Sequence, residues 1–310
     1  MTPSTLDELN TTLPCEPLCG VNADLGEGLL WDADRQRLLM TDIMQGQLLD
    51  IDIASSVIQR WTFDEPLAWV LKTRRVGVYA LGLRSGVALF DLSRPSSVHW
   101  VNRGFPGQPP LRLNDACADA HGRVWYGSMN SADPGASDGR LASLLPSEGL
   151  RIHDDGFTVT NGPLVAADGR CLFFNDTLRG TVYRYRLSSD GASVMDREVF
   201  AQFESEQGFP DGMCVDSQGH LWVALWGAAA VVELDTEGQV LRRVAVPAKN
   251  VTNVCFAGPE LNRLIVSSAA IDMSPDEQQR YPRAGDLFEV MHHGRTGLPT
   301  HCASWDGPWI

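Results

Sequence analysis

Four polar residues, Glu27, Asn114, Asn161 and Asp211, recur at one phase of a repeat along this chain. Each opens a strand-like run. Each is followed, roughly seven residues on, by a turn signal, in a repeat whose length marks toroidal β folds. The signals are Asp34-Arg35, His121-Gly122, Asp168-Gly169 and Gln218-Gly219. If the units are related by rotation, the four side chains point at one axial end. Glu27, Asn161 and Asp211 then offer three oxygen donors and two negative charges, a set suited to a hard or borderline divalent cation such as Ca, Mg or Mn, with Zn also accepting carboxylate oxygen. A cation with open positions polarises a carbonyl and acidifies water, and a carboxylate reaching both serves as general base. A plainer reading stands beside this one, because Asn161-Gly162 and Asp211-Gly212 are strong hairpin-turn dipeptides. Position argues against it: each unit has its own hairpin turn about seven residues later, so the earlier pair marks entry into the innermost strand. A polar group there needs a partner, since an unpaired buried one costs several kcal/mol. A divalent cation is one such partner.

The elements that must position these residues are legible as repeats. Units begin near Glu27, Ala68, Asn114, Asn161, Asp211 and Thr252, at a spacing of about 45 residues that suits propeller blades. Second runs such as Val124-Trp125-Tyr126, Cys171-Leu172-Phe173-Phe174 and Leu221-Trp222-Val223-Ala224 are rich in the aromatic and β-branched residues that strands favour. Third runs follow, as in Val231-Val232-Glu233-Leu234, and Asp190-Gly191 or Glu237-Gly238 turns lead into fourth runs. Helical periodicity is not sustained anywhere. The pattern predicts an all-β fold, a six-bladed β-propeller with four antiparallel strands per blade and a central metal site.

Composition agrees. The chain has 310 residues, 44% of them hydrophobic, with 29 Gly and 18 Pro, enough apolar side chain for a core and enough turn formers for about two dozen strands. A single domain is expected over 15–310, preceded by a flexible segment, 1–14. The net charge of -14 and the absence of any Lys/Arg run exclude a nucleic-acid partner. The segment Met1 to Leu13 lacks the basic start and apolar core of a secretory signal, and no apolar stretch is long enough to span a membrane. Seven cysteines, an odd number without a CxxC pair, point to neither a disulfide framework nor a zinc site, and so to a reducing, cytoplasmic compartment.

The segments around Leu25 to Trp31, RLNDACADAHGRVWYGSM (Arg112 to Met129), TNGPLVAADGRCLFFNDT (Thr160 to Thr177) and FPDGMCVDSQGHLWVALW (Phe209 to Trp226) resemble the gluconolactonase family, which includes regucalcin and luciferin-regenerating enzyme. The resemblance runs from about Val21 to about Pro299. It implies a six-bladed propeller with one divalent metal in the channel, Glu27, Asn161 and Asp211 as its ligands, and Asp211 also as general base. It further implies that Arg112 and Asn114 contact the oxygens of the substrate, a task that suits the planar donor fork of Arg.

Two departures stand out: Ala116 follows the Asn-Asp pair where the family has glycine, and Ala132 replaces an acidic residue that some relatives use to bind sugar hydroxyls. Asp133, on a loop (130–140) expected over the channel mouth, is the candidate to take that role. Asp176 is expected to orient a neighbour. The implied activity is metal-dependent hydrolysis of a sugar lactone, a glucono-, xylono- or arabinolactone for example, to its aldonic acid. Two alternatives share the scaffold: a non-catalytic calcium-binding regulatory propeller, and an organophosphate or aryl-ester hydrolase. An apolar mouth, with Trp69, Phe105, Phe157 and Trp226 as candidate rim aromatics, would favour the latter.

Overall fold

The architecture is taken from a computed structural model that describes residues 13–105 and 111–305; of the expected flexible segment, 1–12 lie outside the described residues. Twenty-four strands among them, β1 (Cys15–Cys19) to β24 (Leu287–Val290), form six four-stranded antiparallel sheets arranged as the blades of a propeller. The innermost strands are β2 (Gly26–Asp32), β6 (Leu67–Lys72), β10 (Leu111–Ala118), β14 (Thr160–Val165), β18 (Phe209–Val215) and β22 (Asn250–Ala257). Their starts coincide with the unit phases seen in the sequence. One short α-helix, α1 (Pro275–Arg280), interrupts the last blade. Its local signal is a capping box, in which Ser274 Oγ accepts the Glu277 N–H and the Glu277 carboxylate accepts the Ser274 N–H.

The core is distributed as wedges between neighbouring blades. Trp222, Val231 and Val244 of the fifth blade pack with Val254, Phe256, Leu264 and Phe288 of the sixth. Trp69 and Ala80 of the second pack with Leu113, Val124 and Tyr126 of the third. Outer strands such as β5 (Val57–Thr62), covered on one side only, alternate towards exposure, whereas β11 (Val124–Asn130), deep in its blade, is buried throughout. That contrast is why inner strands read as continuous apolar runs and outer ones do not.

The ring closes in a way the repeat does not announce. β1 joins β24 as the outermost strand of the sixth blade, so the sheet order is β1-β24-β23-β22, with β23 at Arg263–Ala269. The N-terminal strand thereby ties the chain's beginning to its last blade. A C-terminal segment crosses the opposite axial end, bridging Gly297 to Asp216 and Ala303 to Thr73. Leu298, Pro299, Thr300 and His301 line the cavity there.

Blade packing leaves no spare room at several glycines. A Cβ on Gly82 would lie 2.1 Å from Cε2 of the buried Trp69. Gly82→Ala is expected to destabilise the protein by about 1–3 kcal/mol through overpacking. A lowered urea midpoint at unchanged slope would record that loss, and an unaltered midpoint would contradict this packing.

Candidate functional site

Every innermost strand contains a β-bulge. The register slips between Glu27 and Leu30, Leu67 and Trp69, Leu113 and Ala116, Asn161 and Leu164, Pro210 and Met213, and Val251 and Asn253. A bulge breaks the strict in-out alternation of a strand and re-aims its side chains. Here it falls at the same height in all six blades. Glu27, Arg112, Asn114, Asn161 and Asp211, drawn from four blades, consequently line one cavity of about 630 Å³ at the open axial end, a size within the usual range for small-ligand sites.

Four of the five are almost fully buried, and amides hold them in place. Asn253 Nδ2 donates to Glu27 Oε2 at 3.1 Å. Asn161 Nδ2 donates to Thr177 Oγ1 at 2.9 Å, and that hydroxyl donates onward to Pro210 O. The chain of bonds fixes the amide orientation, leaving Asn161 Oδ1 towards the channel, where it accepts Asn114 Nδ2 at 2.8 Å. Asn175 Nδ2 donates to the carbonyl of Asp211 at 2.6 Å. Asn114 is a bridge: its other donor bond goes to Thr160 O, and its Oδ1 accepts Arg112 Nη1 at 2.6 Å. Arg112 also donates to Leu113 O. Burial pulls its guanidinium down to about 10, against the opposing pull of Glu27 and Asp211, so it stays charged near neutrality.

The two carboxylates carry the electrostatic signature. Burial, followed by the charge of Asp115, raises Glu27 well above its ordinary value. Burial, then Glu27 and Asp115, raises Asp211 well above its ordinary value as well. Their carboxyl groups lie within hydrogen-bonding reach of one another, and Asp211 Oδ1 is buried with no hydrogen-bond partner. Two carboxylates this close and this dry cannot both ionise without a compensating positive charge. Converging oxygens from Glu27, Asn161 and Asp211 are the donor chemistry that suits a divalent cation, so these residues fit one.

Not every expected residue joins them. Asp133 lies outside the cavity, exposed, with its Oδ1 accepting the Gly135 N–H, while Ser131, Ala132 and Pro134 on either side of it form the wall. Of the four aromatic rim candidates only Trp226 lines the cavity. Trp69 and Phe157 are buried core residues, and Phe105 packs on Tyr126, because their strands turn these rings into the wedges between blades. The rest of the rim mixes apolar side chains, Met44, Leu178 and Ile271, with two exposed charged ones, Arg84 and Asp272. Asp176 is structural, accepting from Thr158 and pairing with Arg179.

Asp115 and Asn253 escape sequence reading because alternation would turn each away from a neighbour already counted; the bulge is what brings them in. The adjacent pair Asn114-Asp115 at a repeat phase was their only signal. A second acidic group, Asp216, His220 and Glu233, lies at the other end of β18, and Arg242 and Arg295 already meet the Glu233 charge there.

Residues 25–270 match the family model described as SMP-30/Gluconolactonase/LRE-like region. Pentonolactonase XacC of Haloferax volcanii is 35% identical over 271 residues, covering 86% of this chain and 90% of that protein. Two solved structures share the fold: luciferin-regenerating enzyme, with a TM-score of 0.88 at 22% identity over 94% of this chain and 100% of that one, and a calcium-binding protein, regucalcin, from Agrobacterium tumefaciens, with a TM-score of 0.86 at 24% identity over 94% and 98%.

A carboxyl group whose folded pKa is raised binds a proton that the unfolded chain has released, so it stabilises the fold below its ordinary value and that contribution is lost as pH rises through the folded one. For Glu27 the window runs from 4.5 to about 8. Protein held in chelator should therefore lose stability across that interval. Saturating divalent cation should flatten the loss, and a denaturation midpoint that is flat with pH in chelator would refute this electrostatic picture.

Proposed function

Because the chain belongs to the SMP-30/gluconolactonase/LRE-like family, we propose that it hydrolyses a sugar lactone to the open hydroxy acid at the cavity built on Glu27, Asn161 and Asp211. The observation that supports this most directly is the partnerless, buried Asp211 Oδ1, set among the other donors and beside a charged guanidinium. The pentonolactonase relative points to an aldonolactone as substrate.

A divalent cation held by Glu27, Asn161 and Asp211 would supply, when bound, polarisation of the lactone carbonyl and acidification of the attacking water. Asp211 takes a proton from that water as the water oxygen bonds to the carbonyl carbon. The bond from this carbon to the ring oxygen then breaks. Asp211 returns the proton to the departing ring oxygen, and the new carboxylic acid releases its own proton to solvent. Arg112, held by Leu113 O and Asn114 Oδ1, has further N–H groups to place the lactone oxygens. Asn114, with its own polar atoms engaged, acts by aiming Arg112 and Asn161. Asp133 would join a substrate hydroxyl only if its loop turned inward. A reducing, cytoplasmic setting belongs to the same reading, supported by seven cysteines that form no disulfide.

The apolar share of the rim, Met44, Leu178, Trp226 and Ile271, supports one second reading, hydrolysis of aryl or organophosphate esters. Proton release from a panel of aldonolactones and aryl esters separates the two, using protein stripped of metal and re-supplied with Ca, Mg, Mn or Zn singly. Cation-dependent turnover of a lactone is the expected result; turnover of esters alone would shift the assignment, and cation binding without any turnover would leave a regulatory propeller. Asp211→Asn should retain the fold, checked by circular dichroism, and lose about 10²–10⁴-fold in kcat. Undiminished turnover in that variant would remove Asp211 as the base.

A further inference from the structure

Asp115 is a buried carboxylate that the hydrolytic scheme does not use. Its side chain is 6% exposed, and among the described residues it forms no ion pair. It sits in the bulge of β10, where Oδ1 accepts the Ala116 N–H at 2.7 Å and Oδ2 accepts the Gly162 N–H at 2.8 Å. The second bond crosses from the third blade to the fourth and ends beside Asn161. Gly162 has φ +42, and a Cβ there would lie 2.8 Å from Met213 Cγ, so the bulge that presents Asn161 is close-packed behind and pinned by Asp115 in front. Asp115 also borders the smaller cavity at the closed end, about 160 Å³, whose neighbouring walls include Trp69, Pro163, Met213 and Phe256.

An Asn amide would still offer one oxygen to the Gly162 N–H, giving up the bond to its own neighbour Ala116. The charge is therefore surplus to the role of a backbone peg, and it is costly in a dry site. Asp115 shares the walls of the smaller cavity with Gly28 and Asn253, both of which donate to Glu27 Oε2, and its charge acts on the Glu27 and Asp211 carboxyls. Taking the cavity as a divalent-cation centre, as in the proposed function, we propose that Asp115 is a positioning residue of that centre: it locks the Asn161 bulge through Gly162 and supplies a third negative charge, so that the cation balances what the single Arg112 guanidinium does not. The two roles have opposite signatures. The charge opposes folding when the cavity is empty and strengthens binding when a cation enters.

The test measures cation affinity and thermal stability together. Wild type, Asp115→Asn and Asp115→Ser are stripped with chelator and titrated calorimetrically with Ca and Mn, and Tm is recorded for stripped and loaded protein. The Asn variant keeps an oxygen in place for the Gly162 N–H, and the Ser variant removes the charge with a smaller, shorter acceptor. The expected result is an affinity about 10- to 100-fold weaker, with a stripped-protein Tm equal to or above that of wild type. Affinity within twofold of wild type overturns the proposal. So does an equal fall of Tm in stripped and loaded forms, or failure of both variants to fold, each of which makes Asp115 a structural peg. Wild type that binds neither ion would instead remove the cation centre itself, and with it the reading of the site.

Discussion

Mutual repulsion between largely buried carboxylates at the axis is the constraint around which this molecule is built. Glu27 comes from the first blade, Asp211 from the fifth and Asp115 from the third, so no local segment holds them together. Only a closed ring does. The pairing of β1 with β24 is in this sense part of the site, since opening the ring would let the charges separate and hydrate. Blade-to-blade aromatic wedges provide the opposing force. They gain by burying apolar area what the axis loses by burying charge.

The six bulges turn that constraint into geometry. A regular strand can present only alternate residues to the axis, which would give each blade one polar side chain at this height. The slipped register lets β10 contribute both Asn114 and Asp115, and lets Asn253 of β22 reach Glu27. Close packing behind the bulges keeps them from relaxing. A Cβ on Gly212 would meet the Asn253 amide at 2.4 Å, so the residue following Asp211 has no room to be anything larger. The donors are thus set by backbone, and side-chain amides only trim their orientation.

The two axial ends are chemically unlike. One is polar at its floor, carries Arg84 and Asp272 among apolar side chains at its rim, and is open to a small molecule. The other is apolar and crossed by the C-terminal segment. The wider cavity admits the substrate, and the charges at its floor act in a setting of low dielectric where electrostatic pull on a developing oxyanion is strongest. With Ala132 in place of an acidic residue and Asp133 outside the cavity, the charged groups above the floor are Arg112, Arg84 and Asp272, so recognition there draws on side chains from several blades.

The sequence by itself determined the blade count, the strand phase and the common height of Glu27, Asn114, Asn161 and Asp211, because the repeat length, the turn dipeptides and the apolar runs are local properties that survive being read one residue at a time. Arg112 was visible for the same reason, as part of a motif adjoining Asn114. What only the tertiary structure decided is which additional residues face the axis and which aromatics do not. Asp115 and Asn253 enter through bulges, and a bulge is a property of two paired strands. Trp69 and Phe157 leave the rim because a neighbouring blade covers them. Closure by β1 and the plug at 297–303 join chain ends to distant blades, and no periodicity within a strand records a partner more than 200 residues away.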